Sequence, residues 1–354
     1  MKRALLATIA AMGLAGAAAA QDLTVGYIYP APVADVGWAK QLDLGREAVE
    51  AAYGDRVASV VVDSVPEGPD AARVMNQMVS DGAGFLMLGS FGYMNDGIKL
   101  GRKHPDIGMI HASGFKQTDN FGTFTARNYE GFYLGGMAAG MKTESNIIGL
   151  VGAFPIPELV AEVNAITLAA KSVNPEVQVK IVWINTWFDP PKAQEAARAL
   201  ISQGADVLFS LHQDTPSVVT VAENEGVWVV NTGSDMREYA PTKLLVSVTN
   251  DWTDYFVREV GKKLDGTFSG ADERGGLASG MVKVVAWSDT LTDAQMAQIK
   301  AKEAAFIDGS DHAFTGPITD QDGTERVAAG EILPDAEIFR INWLVDSVDG
   351  TLPK

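Results

Sequence analysis

The chain has 354 residues, of which 28 are lysine or arginine and 45 are aspartate or glutamate, giving a formal net charge of −17 at pH 7. This acidic balance disfavours polyanionic partners, so we expect binding neither to nucleic acid nor to anionic membrane surfaces. The chain contains no cysteine, which excludes disulfides, thiol catalysis, cysteine-type zinc sites and a lipid-anchored cysteine.

The first 20 residues have the order of a secretory signal peptide. Lys2 and Arg3 precede an apolar run over residues 4–14, and three small residues, 18–20, follow before Gln21. The apolar run is shorter than the ~20 residues that a membrane-spanning helix needs. We therefore expect cleavage after Ala20, a soluble chain without a membrane anchor, and a periplasmic location.

Short apolar strands alternate with amphipathic helices along the rest of the chain. The first series has strands at 23–29, 57–62, 85–88 and 108–111, with helices at 37–53, 69–80 and 94–103. The second has helices at 129–142, 157–172, 190–203 and 217–224, with strands at 147–151, 177–183, 207–210 and 227–230. This alternation predicts parallel sheets with helices on both faces. Because single cores tend to split beyond about 250–300 residues, we expect two doubly wound, Rossmann-like α/β lobes.

The loops after the predicted strands are rich in aromatic and hydrogen-bonding side chains. Ligands of open α/β sheets bind beyond the carboxyl ends of the strands, so these side chains are the candidate ligand contacts. Aromatic walls with a few placed polar groups suit a planar, polar, mostly uncharged small molecule. The candidates are Asp35, Trp38, Phe91, Phe115, Asn128, Trp187, Asp189, His212, Gln213, Asp214, Asp235, Asn250 and Trp252.

Several of these candidates have structural alternatives. Asp189 precedes Pro190 and suits a helix cap, and Asp35 and Asp235 equally suit caps or turns. His212 is open to three roles: a hydrogen bond to ligand, a structural polar contact, or catalysis. The catalytic role needs a nucleophile or base partner, and the sequence names none.

No catalytic or metal-binding signature is present in the sequence. P-loop, zincin and serine-hydrolase motifs are absent, and the four histidines show no ligand spacing. Residues 320–323 lack the distal glutamate of a calcium loop and are predicted to form a hairpin turn. We therefore expect a binding protein rather than an enzyme, with no metal and no cofactor.

Several short motifs together resemble the basic membrane protein (BMP) family, the substrate-binding components of ABC importers that include purine nucleoside receptors. The match begins near Thr24 and runs in consistent order to the C-terminus. The motifs are Asp35-Val-Gly37-Trp38, Gly152-Ala-Phe-Pro-Ile-Pro157, Asn185-Thr-Trp-Phe-Asp-Pro190, Gly204-Ala-Asp-Val207, Ser234-Asp235, Leu264-Asp-Gly266 and Phe314-Thr-Gly-Pro-Ile318.

The resemblance implies a type I periplasmic-binding-protein fold, with two lobes joined by a three-strand hinge. On this basis we assign residues 21–126 and 251–315 to lobe 1, and residues 127–250 and 316–354 to lobe 2. The crossovers are expected near residues 126–127, 250–251 and 314–318. The implied partners are a small-molecule ligand and an ABC transporter permease, and we expect a monomer.

In the BMP family, aromatic residues sandwich a nucleobase and Asp and Asn hold its polar edge. The resemblance places Trp38 at the stacking position and Asp35 and Asp235 at the polar edge. Asn250 stands where nucleoside-binding members carry a ribose-contacting lysine, and residues 212–214 replace a more glycine-rich loop. These departures argue against a ribose contact but keep the aromatic stacking of a flat heterocycle, so the expected ligand is a purine, as free base or nucleoside. A sugar, a sensory-receptor role and a secreted nucleosidase are the alternatives.

Overall fold

The computed structural model describes residues 21–352. The predicted signal peptide, residues 1–20, lies outside this range. Within the described range, no helix is both long enough and apolar enough to span a membrane.

The first lobe is built on a six-stranded sheet. It contains β1 (Leu23–Ile28), α1 (Trp38–Tyr53), β2 (Val57–Val62), α2 (Pro69–Ser80), β3 (Phe85–Leu88), α3 (Met94–Lys103), β4 (Gly108–Ala112), β5 (Phe121–Ala126), and later in the chain α8 (Thr253–Leu264) and β11 (Asp272–Gly275). The strands are all parallel in the order β11-β5-β4-β3-β1-β2. Every residue of β3, β4 and β5 is buried, as expected for parallel strands covered by helices on both faces.

The second lobe has a seven-stranded sheet in the order β12-β10-β9-β8-β6-β7-β15. Its strands are parallel except for β12, which runs antiparallel to β10. Its elements are α4 (Asn128–Lys142), β6 (Ile147–Gly152), α5 (Pro157–Val173), β7 (Gln178–Trp183), α6 (Pro190–Ser202), β8 (Val207–Leu211), α7 (Ser217–Glu225), β9 (Trp228–Thr232), β10 (Leu244–Asn250), β12 (Val282–Val285), α9 (Asp293–Asp308), α10 (Asp335–Ile338) and β15 (Val348–Asp349).

The α4 and α5 helices pack closely in the core of the second lobe. Glycines on α4 permit this approach, because a Cβ at Gly136 would lie only 2.7 Å from the carbonyl oxygen of Ile166. The strands β13 (Ile318–Thr319) and β14 (Glu325–Val327) form a separate hairpin. Asp320 accepts the backbone N–H groups of Asp322 and Thr324 in its turn, so the predicted hairpin turn is confirmed.

The strands and helices predicted for the two series are all present, with ends shifted by at most two residues. The lobe boundaries differ in one respect. β12 pairs with β10 and α9 packs against α4, so the chain returns to the second lobe after Gly275. The predicted lobe 1 segment of 251–315 is therefore too long, and the third crossover lies between β11 and β12 rather than at 314–318.

Candidate functional site

A cavity lies between the two lobes, where the loops after the sheet strands meet. Its wall consists of residues from the loops that follow strands β1, β3, β4, β6, β7 and β8, and from the first turns of α1 and α5. Because both lobes contribute equally, the cavity exists only while they are in contact. The lining residues are Pro30, Trp38, Gly89, Ser90, Phe91 and Ser113 from the first lobe, and Ile156, Glu158, Leu159, Trp187, His212 and Asp214 from the second.

Trp38 forms a fixed aromatic wall on the first lobe. Its indole Nε1 donates to the carbonyl oxygen of Gly89 at 2.8 Å. Its ring meets the buried ring of Trp252 edge-on, at a centroid distance of 5.6 Å, and lies 5.9 Å from the ring of His212. These contacts hold the indole in one orientation, which lowers the entropy lost when a flat ligand packs on it.

Trp187 supplies a second aromatic wall, from the second lobe. Its ring packs on Phe154 at a centroid distance of 4.8 Å. Its Nε1 donates to Glu67 Oε1 at 3.3 Å, across the cleft. Glu67 in turn accepts from the Ser90 hydroxyl at 2.5 Å and from the backbone N–H of Gly92 at 2.9 Å. The first lobe therefore sets the position of an aromatic ring that the second lobe carries.

Glu158 brings a buried carboxyl group to the cavity. Asn128 donates to it at 3.1 Å, and Asn250 donates to Asn128 at 2.8 Å. Burial raises the pKa of Glu158 to about 7 from its usual 4.5. Near neutral pH this carboxyl therefore exists in both forms, one of which donates a hydrogen bond while the other only accepts.

His212 and Glu162 form a buried pair beside Glu158, with Nε2 and Oε1 2.8 Å apart. Burial disfavours the imidazolium, but the adjacent Glu162 carboxylate outweighs it and raises the pKa of His212. Glu158, Glu162 and His212 each offer one atom that could coordinate a metal ion. These three atoms lie within 4.8 Å of one another, a spacing that a metal ion would accept. Hydrogen bonds within the pair and from Asn128 already engage the same groups, which favours a polar floor for an organic ligand.

Asp214 joins the cavity wall to the opposite lobe. Its Oδ2 accepts the backbone N–H of Ala39, in the first turn of α1, at 3.2 Å. Burial raises the pKa of Asp214 to about 7. This carboxyl thus serves both the ligand cavity and the contact between the lobes.

Of the predicted contacts, five line the cavity: Trp38, Phe91, Trp187, His212 and Asp214.

Four predicted contacts lie just behind the wall. Asn128 and Asn250 support Glu158, and Trp252 supports Trp38. Phe115 packs on Phe91, with ring centroids 6.3 Å apart. These side chains position cavity residues without lining the cavity.

The remaining four predicted contacts have other environments. Asp35 is exposed, and Asp235 is exposed and paired with Arg237 at 2.7 Å. Asp189 caps α6 by accepting the backbone N–H of Lys192 at 3.1 Å, which is the capping alternative. Gln213 is buried, and its amide atoms have no hydrogen-bond partner within residues 21–352.

Sequence reasoning missed the two buried glutamates at the cavity, Glu158 and Glu162. Glu158 and Glu162 are one helical turn apart on α5, within residues 158–170, a stretch that is mostly apolar and buried at every position except Leu168. Two carboxylates on the same face of a buried helix are costly unless they have partners. That pattern was the available signal for Glu158.

The chain resembles known proteins over most of its length. The family model described as "ABC transporter substrate-binding protein PnrA-like" (Bmp) matches residues 23–310. A purine-binding protein of Brucella abortus is 37% identical over 350 residues, covering 99% of each chain. A putative ABC transporter glucose-binding protein of Haloferax volcanii is 32% identical over 339 residues, covering 96% of this chain and 83% of that protein.

Solved structures confirm the type I fold. A solute-binding protein of an ABC transporter system from Aeropyrum pernix K1 superposes with a TM-score of 0.72 at 14% identity, covering 81% of this chain and 92% of that one. A solute-binding protein from Conexibacter woesei gives a TM-score of 0.64 at 18% identity, covering 82% and 98%. The family match spans most of the chain and agrees with the two-lobed fold and the cavity between the lobes. This chain therefore belongs to the Bmp family of PnrA-like substrate-binding proteins of ABC transporters.

Proposed function

We propose that this protein is the periplasmic receptor that delivers a purine, as free base or nucleoside, to an ABC transporter permease. The observation that carries the proposal is the cavity between the lobes, which combines the indoles of Trp38 and Trp187 with the buried carboxyl groups of Glu158 and Asp214. Flat aromatic surfaces stack on a heterocycle, and carboxyl groups pair with the N–H and ring-nitrogen groups on its edge.

The charge of the cavity wall limits the ligand further. Among the described residues, those that line the cavity include no lysine or arginine, and two are carboxylic acids. An anionic ligand such as a nucleotide would bury its charge without a free cation to pair with, because His212 is already paired with Glu162. Burying an unpaired charge costs several kcal/mol. A neutral base or nucleoside avoids this cost. The purine-binding relative from Brucella abortus supports the same ligand class.

Ligand binding and lobe closure are coupled in this proposal. A ligand that contacts Trp38 on one lobe and Glu158 on the other favours the closed form, because only that form offers both contacts. Closure then presents one surface to the permease. The lobes bind and release ligand without changing it chemically.

Isothermal titration calorimetry tests the ligand. The panel is adenine, guanine, hypoxanthine, xanthine, their nucleosides and glucose. We expect binding of at least one purine base or nucleoside. Binding of glucose alone would favour the sugar reading, to which the glucose-binding relative from Haloferax volcanii points. Free base released from nucleosides during incubation would instead indicate a nucleosidase. If no purine binds, the proposal is wrong.

A further inference from the structure

The N-terminus of α1 ends at the cleft without a cap from its own lobe. Gly37 occupies the N-cap position and has no side chain to accept a hydrogen bond. The first backbone N–H groups of a helix have no acceptor within the helix, so they need one from elsewhere when they are buried. Gly37 and Ala39 are both buried.

The second lobe provides the missing acceptors. The hydroxyl of Ser234 accepts the backbone N–H of Gly37 at 2.9 Å, and it also accepts from Gln41 Nε2 at 2.9 Å. Asp214 accepts the backbone N–H of Ala39 at 3.2 Å. Ser234 is only 5% exposed and does not line the cavity. Among the described residues, both hydrogen bonds of its hydroxyl cross from one lobe to the other.

We propose that Ser234 is a positioning residue, which caps α1 across the cleft in the closed form and thereby fixes Trp38 against the ligand. The proposal rests on the ligand-binding role of the cavity. Trp38 is the first residue of α1 and lies between Gly37 and Ala39, the two residues whose N–H groups the second lobe accepts. Opening the cleft removes both acceptors, and it frees the turn that carries the indole.

The adjoining backbone supports this role. Gly233 precedes Ser234 with a φ of +98°, and a Cβ at Gly233 would lie 3.0 Å from the backbone carbonyl carbon of Gly37. The two chain segments therefore meet backbone to backbone. This approach brings the Ser234 hydroxyl within reach of the helix end.

The variant Ser234→Ala tests the proposal, with Asp235→Ala as a matched control. Asp235 is the next residue, but it is exposed and pairs with Arg237 on its own lobe. Stopped-flow tryptophan fluorescence with adenine gives the association and dissociation rates. Ser234→Ala removes the cap and leaves the buried N–H of Gly37 unpaired in the closed form. We expect the dissociation rate to rise roughly tenfold for this reason. The association rate and the melting temperature of the free protein stay as in the wild type, and Asp235→Ala matches the wild type throughout.

A second measurement separates this proposal from the choice of ligand. Hydrogen exchange of the Gly37 amide, followed in the closed form at saturation with whichever ligand of the calorimetric panel binds, is faster in Ser234→Ala than in the wild type and in Asp235→Ala. If adenine fails to bind the wild-type protein, the adenine form of the proposed function fails while the exchange result still decides the role of Ser234. Equal exchange in all three proteins overturns the role of Ser234. A lower melting temperature of Ser234→Ala, together with changes in both rate constants, also overturns it, because that pattern indicates a merely structural residue.

Discussion

Replacing Gly37 by alanine tests how closely the lobes must approach in the ligand-bound form. A Cβ at this position would lie 1.8 Å from Asp214 Oδ1 and 2.9 Å from Asp214 Cγ. Both distances are far shorter than van der Waals contact. The Asp214 side chain must therefore rotate away on closure, which breaks its hydrogen bond to the Ala39 backbone N–H.

The size of the effect follows from that broken bond. Leaving a buried donor without its acceptor costs about 1–3 kcal/mol, which corresponds to a rise in Kd of roughly 5- to 150-fold. This cost falls on the closed form alone. The substitution also forces alanine to a φ of +105°, a strain of about 1–3 kcal/mol that acts in the open and closed forms alike. The strain lowers the melting temperature but leaves the equilibrium between the two forms unchanged.

Gly68→Ala is the matched control, because Gly68 is the N-cap of α2 in the same lobe and has a φ of +93°. Within the described residues, no atom lies within 4 Å of a Cβ at Gly68. Calorimetry and thermal denaturation are measured on both variants. We expect both to melt at lower temperature and only Gly37→Ala to bind the purine more weakly. Equal affinities for the two variants would refute the argument from the lobe contact.

Three further outcomes are expected from the cavity. Trp38→Ala weakens ligand binding by roughly 5- to 150-fold, since stacking on a base contributes about 1–3 kcal/mol, and an unchanged Kd in calorimetry removes Trp38 from the site. Glu67→Gln weakens the hydrogen bond to Trp187 and raises Kd by roughly two- to tenfold. Asp63→Asn, on the same loop, serves as the control, and an equal Kd for the two variants contradicts the role of Glu67. The stability that neutral Glu158 provides is complete below pH 4.5 and is lost as the pH rises through about 7. The melting temperature therefore falls between pH 5 and pH 8 and falls less in Glu158→Gln, whereas a rise over this interval would be inconsistent with the raised pKa.

The fold was predictable because its signals are local. Strands such as β3 are continuous apolar runs, and helices such as α2 begin with proline in their first turn. Hydrophobic periodicity and helix-start residues therefore locate these elements in the sequence. The assignment of residues 276–315 to lobe 1 failed for a different reason. β12 is a short strand whose partner, β10, is set by tertiary pairing, and nothing in its four residues reveals which sheet it joins.

The candidate site was predictable in part for a similar reason. The rule for strand ends located the loops that line the cavity, but it does not say which side chain of a loop turns inward. Ser234 and Asp235 are neighbours, yet one bonds across the cleft and the other is exposed. Contacts such as that between Gly37 and Ser234 join residues 197 positions apart, and they arise only when two complete lobes meet.

The three crossovers also determine how the protein can be divided. A fragment ending at Ala126 would lack β11, the edge strand beside β5, and it would lack α8, which covers α1. The complementary fragment would carry those two elements without the sheet that they belong to. Neither half is therefore a self-sufficient unit, and exchanging one lobe for that of a relative requires three junctions instead of one. Changes of ligand preference are accordingly more accessible through substitutions in the strand-end loops than through recombination of whole lobes.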